Sequence, residues 1–163
     1  VGLGAVAREI LDPAMTRYPQ STLVHTVLVP ATEAAIALGR GRPAAAVTAL
    51  DAARPTELGT VAGLVPAYLR GEAFLASGDA AAARVEFQKV LEHRGSDPLA
   101  PVVVLAHLGL ARAWQLAGET ANSRDEYDEL LRIWKGADPD LPLLQRARAE
   151  RAALGASSAP PPR

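Results

Sequence analysis

The chain has no cysteine, only 4% aromatic residues, and no excess charge of either sign, with 17 Lys+Arg against 18 Asp+Glu in 163 residues. Each shortage excludes a class of function. Without cysteine there is no disulfide framework, no thiolate nucleophile and no Cys-ligated zinc. Without a basic excess nothing sequence-wide neutralises a phosphate backbone or an anionic bilayer, so nucleic acid is not an expected partner. No apolar run approaches the roughly 18 to 20 residues of a membrane helix, so no membrane insertion is expected. His25, His93 and His107 are far from the i, i+4 spacing of a metal pair, and neither metal nor cofactor is expected. An initiating methionine is also missing. The chain opens at Val1 with no basic stretch before an apolar one, so it reads as a processed or excised part of something longer.

What is present is alanine, the largest single share of the 49% apolar fraction. Alanine is the best helix former and lets helix backbones approach closely, while the β-branched and aromatic residues of strands are sparse. The predicted class is all-α. Proline and glycine, 13 of each, punctuate stretches of 3.6-residue apolar periodicity. Leu64 to Ala76 reads as a helix with Pro66 tolerated early and a stop at Ser77-Gly78-Asp79. In the helix that follows, Ala83, Phe87, Val90 and Leu91 share one face, and Arg84, Glu86, Lys89 and Glu92 decorate the other.

This helical hairpin recurs. At an offset of 40, Phe74, Gly78, Asp79, Ala83, Phe87 and Leu91 map onto Trp114, Gly118, Glu119, Ser123, Tyr127 and Leu131. Upstream, Leu28-Val29-Pro30-Ala31 repeats letter for letter as Leu64-Val65-Pro66-Ala67, and Gly41, Ala46 and Leu50 take the places of Gly78, Ala83 and Phe87. Self-similarity of this length is the signature of an α-solenoid, in which stacking supplies the core that no unit has alone. Predicted helices run over 5–17, 22–39, 43–54, 57–77, 80–93, 98–117, 120–135 and 140–154. Residues 1–19 read as the second helix of an incomplete unit, with Pro13 kinking or restarting it. Residues 20–154 hold three hairpins, about 22–54, 57–93 and 98–135, and a capping helix whose polar face carries Gln145, Arg146, Arg148, Glu150 and Arg151. Residues 155–163 have the composition of a disordered, proline-rich tail. Such an order suits the C-terminal end of a longer array.

In Gly71, Phe74, Gly78, Asp79, Ala83 and Phe87 the best copy resembles a tetratricopeptide repeat. The third copy has Ala111, Trp114, Ser123 and Tyr127 at those places, and the first departs by placing Ala37 and Leu50 where aromatics belong. The resemblance implies a right-handed solenoid of helical hairpins. More narrowly, Arg70-Gly71-Glu72-Ala73, Glu86-Phe87-Gln88-Lys89-Val90-Leu91, Ala106-His107-Leu108-Gly109-Leu110-Ala111-Arg112-Ala113 and Ala137-Asp138-Pro139-Asp140 look like the tetratricopeptide region at the C-terminus of bacterial, acidobacterial-type receptor serine/threonine kinases. That likeness implies a signalling scaffold following a membrane anchor. The kinase signatures themselves, a glycine-rich loop with its lysine, H-R-D and D-F-G, are absent, and no enzyme activity is expected.

The remaining motifs have plainer readings. Gly2-Leu3-Gly4-Ala5-Val6-Ala7 has the letters of a dinucleotide loop, but no strand precedes it, and a turn before a helix accounts for its glycines. Gly39-Arg40-Gly41-Arg42 lacks the Lys-Ser/Thr of a P-loop and reads as an inter-helix turn. His93 falls at a helix C-terminus, and His107 reads as a packing residue with a polar tip. Asp125, Glu126, Asp128 and Glu129 spread around a helix as a solvated face. Phe74, Phe87, Trp114 and Tyr127 fall at core positions, while Trp134 either packs beneath the cap or marks a contact surface.

By resemblance, the first helices of such an array line a partner groove. The matching positions here are Thr32, Tyr68, Glu72, Arg112 and Gln115. Only Arg112 stands where chaperone-binding members clamp a C-terminal carboxylate, so apolar contact and shape are expected to dominate recognition of a protein or peptide partner. A metabolite sensor binding between helices, and an architectural or self-associating spacer, are the alternatives; no oligomeric state is implied.

Overall fold

Pro43, Pro66, Pro101 and Pro142 stand in the opening turns of four helices, where the first N–H groups lack partners and a residue without a donor forfeits nothing. The computed structural model describes residues 3–59 and 62–156, which form helices and no strand. In chain order the described α-helices are α1 (Leu3–Arg17), α2 (Val29–Gly39), α3 (Pro43–Ala49), α4 (Val65–Ala76), α5 (Ala80–Glu92), α6 (Pro101–Leu116), α7 (Thr120–Ile133) and α8 (Pro142–Ala156). The glycines of Gly2-Leu3-Gly4 lie partly, and residues 157–163 of the tail wholly, outside the described residues.

The turns α2–α3, α4–α5 and α6–α7 are closed the same way. Gly41, Gly78 and Gly118 take left-handed φ values of 66°, 82° and 80°. In each turn the glycine N–H bonds the carbonyl three residues back, at Leu38, Leu75 and Gln115. The next N–H, of Arg42, Asp79 or Glu119, bonds the carbonyl five back, at Ala37, Phe74 or Trp114. This pair of bonds satisfies carbonyls that a helix end leaves open, and only a residue without Cβ takes that φ freely. Asp79 then caps α5 by accepting the Ala82 N–H at 2.9 Å.

Packing repeats with the turns. The second helix of each hairpin presents one large side chain to small residues on the helices either side. Leu50, just after α3, packs among Ala34, Ala37 and Ala73. Phe87 lies against Gly71 and Gly109, and Tyr127 packs with Ala111 and Ala147. All three large side chains are fully buried. Successive helices are in contact from α1 to α2 and from α2 onward. In addition α2 packs on α4 and α4 on α6, whereas no comparable packing joins α3 to α5 or α5 to α7 among the described residues.

Several expectations need correction. The helix expected over 57–77 starts at Val65, because Glu57 folds inward and the chain reaches α4 through Gly63 and Leu64, both at positive φ. The identical tetrapeptides therefore enter differently: Leu28 is helical and exposed, while Leu64 is left-handed and fully buried. Over 22–39 the helix contains a π turn, Val24–Leu28, immediately before Pro30. There the Val29 N–H reaches back to Val24, and the wider turn accommodates a proline ring that would crowd a regular α-helical carbonyl. The 43–54 helix tightens to a 3₁₀ turn after Ala49, and the 98–117 helix starts at Pro101. α1 runs through Pro13 without restarting. Ser21 caps the turn that follows it, accepting the Val24 N–H at 3.4 Å.

Candidate functional site

Tyr68 and Glu72 are one helical turn apart in α4, and Arg112 and Gln115 belong to α6, the helix that packs beside α4. The Tyr68 ring is half-buried and tilted on Phe87, with centroids 5.9 Å apart. Arg112 turns toward α8: its Nε and Nη2 donate to the two Glu150 carboxylate oxygens at 2.9 and 2.8 Å. The Tyr127 hydroxyl donates to Glu150 as well, at 2.8 Å. Burial pushes the Glu150 carboxyl up, but the bonds from Arg112 and Tyr127 outweigh it and hold the group below the ordinary glutamate range.

Glu72 has the opposite balance. Burial raises its pKa, and Arg112 opposes this only through space. The Tyr68 phenol is raised too, first by burial and then by the neighbouring Glu72 charge. Tyr68, Glu72 and Arg112 thus form one electrostatic group. Gln115 is exposed and Thr32 half-buried, and no hydrogen bond joins either to that group among the described residues.

Sequence reasoning missed a second polar cluster. Arg70, fully buried, donates through Nη1 to Glu86 at 3.1 Å and through Nη2 to Glu57 at 2.7 Å and to the Leu50 carbonyl at 3.1 Å. Lys89 closes the ring by donating to Glu57 at 3.1 Å and to Glu86 at 2.8 Å. Burial raises the Glu57 pKa, and Arg70 with Lys89 reverses the effect and lowers it. Glu86, expected on the solvent face of α5, is therefore buried. The signal was present: Arg70 stands between Ala67, Gly71 and Ala73 on the apolar stripe of α4. A charge in that stripe requires partners.

Comparison with protein-family models, curated proteins and solved structures finds no match for the chain.

The other expected features are accounted for structurally. His93 Nδ1 bonds the Lys89 carbonyl at 2.9 Å at the end of α5, and His107 pairs with Glu126 at 2.7 Å. The acidic run of α7 lies largely at the surface, as expected, with Asp125 and Asp128 exposed and Glu126 and Glu129 half-buried; there Asp128 pairs with Arg151, Glu129 with Arg132 and Glu126 with His107. Glu150 and Arg151 reach back from α8 to Arg112 of α6 and Asp128 of α7 while staying partly in solvent, and Gln145, Arg146 and Arg148 are exposed. Trp134 packs beneath α8, in the cluster of Leu143 and Ala147. The turn Gly39-Arg40-Gly41-Arg42 is the inter-helix turn expected. Among the described residues no three His, Asp or Glu side chains gather to hold a metal, and no helix is long and apolar enough to cross a membrane.

Two clefts remain. One of about 410 Å³ opens between the π turn and residues 55–59, lined by Leu23, Thr26, Val27, Pro55, Thr56 and Ala62 among others. Another of about 430 Å³ lies between α5 and α6, where the Arg84 guanidinium sits 4.0 Å from the Trp114 ring centre.

Proposed function

We propose that the chain is a non-catalytic helical-repeat module that binds a protein or peptide across the face formed by α2, α4 and α6. The observation that carries this reading is the asymmetry of packing. Among the described residues first helices pack on one another and second helices do so far less, which favours an array curved toward the α2–α4–α6 side. A concave row of parallel first helices is where an extended or helical segment gains contact along its whole length. The three like turns and the repeated large-into-small contacts support a tetratricopeptide-like solenoid capped by α8. The sequence resemblance supports a place beside a kinase or other signalling domain, after a membrane anchor.

A display selection of random peptides on the immobilised chain tests the reading. Enriched peptides are expected to shift the amide resonances of α2, α4 and α6. Enrichment of none, or binders that map only to other faces, overturns it. The metabolite reading is favoured by the cleft of about 410 Å³ and its threonine hydroxyls. A metabolite that raises the melting temperature in proportion to its concentration, and loses that effect on Thr26→Val, would establish this second reading. Concentration-dependent sedimentation with no peptide enrichment points to a self-associating spacer.

A further inference from the structure

We infer that this partner face contains a subsite for a cationic side chain, an arginine or lysine of the partner, formed by the carboxylate of Glu72 and the ring of Tyr68. The inference rests on the reading of α2, α4 and α6 as the partner-binding face, and it names the chemistry recognised there.

Glu72 is half-buried yet accepts no hydrogen bond from any described residue. Its neighbouring cation is Arg112, whose Nε and Nη2 already donate to both oxygens of Glu150. Glu150 in turn takes the Tyr127 hydroxyl, so the Arg112–Glu150–Tyr127 group is closed by its own bonds. Arg112 and Glu150 neutralise each other, and Glu72 is left as a carboxylate with attraction through space but no donor. A partly desolvated carboxylate in that condition is stabilised by any N–H donor that reaches it, most of all a charged one.

Tyr68 supplies the second element of the subsite. It stands one turn before Glu72, and the Glu72 charge acts on its phenol, so the aromatic side chain and the carboxylate are neighbours on one face. A guanidinium or ammonium seated there donates to Glu72 and lies against an aromatic ring. The chain already makes a ring–cation pairing elsewhere, with its own Arg84 over Trp114. No described side chain places a cation over the Tyr68 ring, and Arg112 acts on its phenol only through space. An anionic partner group would meet the Glu72 charge and find Arg112 engaged.

The display selection, repeated on Glu72→Gln, tests the inference. Peptides selected on the unmodified chain are expected to share a basic residue at one fixed position. Affinity of a lead peptide is expected to fall about tenfold or more on Glu72→Gln, and equally on replacing its basic residue with a neutral isostere. Tyr68→Phe, which keeps the ring, is expected to hold affinity within about twofold, whereas Tyr68→Ala weakens it about fivefold or more. Glu72→Gln keeps the side-chain volume, and its melting curve reports that the fold is intact. Peptides that map to the face without a shared basic residue, or that bind Glu72→Gln as well as the original, overturn the cationic subsite and leave the partner-face reading standing. Absence of any binder on this face overturns both.

Discussion

The Phe87 ring occupies the space in which a side chain at Gly109 would stand, and it does the same at Gly71, where an added Cβ would come within 2.7 Å of the ring. One aromatic on α5 thereby spans the backbones of α4 and α6 and joins the second hairpin to the third. This contact explains why an alanine-rich chain places glycine mid-helix twice, against the helix propensity of that residue.

Gly109→Ala is expected to destabilise the protein by about 1–3 kcal/mol, the usual cost of overpacking, although the same change in an exposed helix stabilises by up to about 1 kcal/mol. Chemical denaturation measures the difference. Phe87→Leu introduced with Gly109→Ala is expected to recover part of the loss, so the two changes together cost less than their sum. Additive costs would mean that the ring and Gly109 do not share this space.

Gly78 and Gly118 are a different case, since a Cβ at either meets open space and only the backbone resists it. Gly78→Ala and Gly118→Ala are each expected to cost about 1–2 kcal/mol, from the left-handed conformation alone. Asparagine at the same positions is expected to cost less than alanine. Equal costs for the two replacements would remove the backbone explanation.

Removing Arg70 leaves Glu57 and Glu86 buried with Lys89 as their remaining side-chain donor. Arg70→Met is expected to cost about 3–5 kcal/mol, the range for breaking a buried ion pair on one side. The triple change Arg70→Met, Glu57→Gln and Glu86→Gln is expected to cost less than the single one, because no buried charge is then stranded. A triple variant less stable than Arg70→Met would contradict this account.

Glu72 and Glu150, the two carboxyls beside Arg112, respond to pH in opposite directions. Glu150 has a folded-state pKa below the ordinary glutamate value of 4.5, so its contribution is present above that pH and is lost as pH falls through the lower folded value. Glu72 has a folded-state pKa above 4.5, so its contribution is full below that pH and is lost as pH rises through the folded value. Glu150→Gln is therefore expected to lower the melting temperature at pH 7 and to flatten its fall below pH 4.5. Glu72→Gln is expected to raise the melting temperature at pH 7 and to have little effect near pH 4. Melting curves across pH check both signs.

Local information in the sequence sufficed for much of the fold. Alanine content and the apolar period specify helices, Gly41, Gly78 and Gly118 specify where the hairpins turn, and the recurrence of Ala83/Phe87 as Ser123/Tyr127 specifies which positions are buried. These features act within one or two helical turns, and for that reason a linear reading finds them. The tertiary structure alone decided what depends on two distant segments. It drew Glu57 onto Arg70 and Lys89 and so delayed the start of α4 to Val65; it placed Leu64 in a left-handed conformation while Leu28, in the same tetrapeptide, stayed helical. It turned Glu150 of the cap onto Arg112, thereby leaving Glu72 without a donor. A charge near an apolar stripe shows only that a partner is required; which group arrives is settled by the meeting of helices far apart in the chain, where desolvation makes each unmade bond costly.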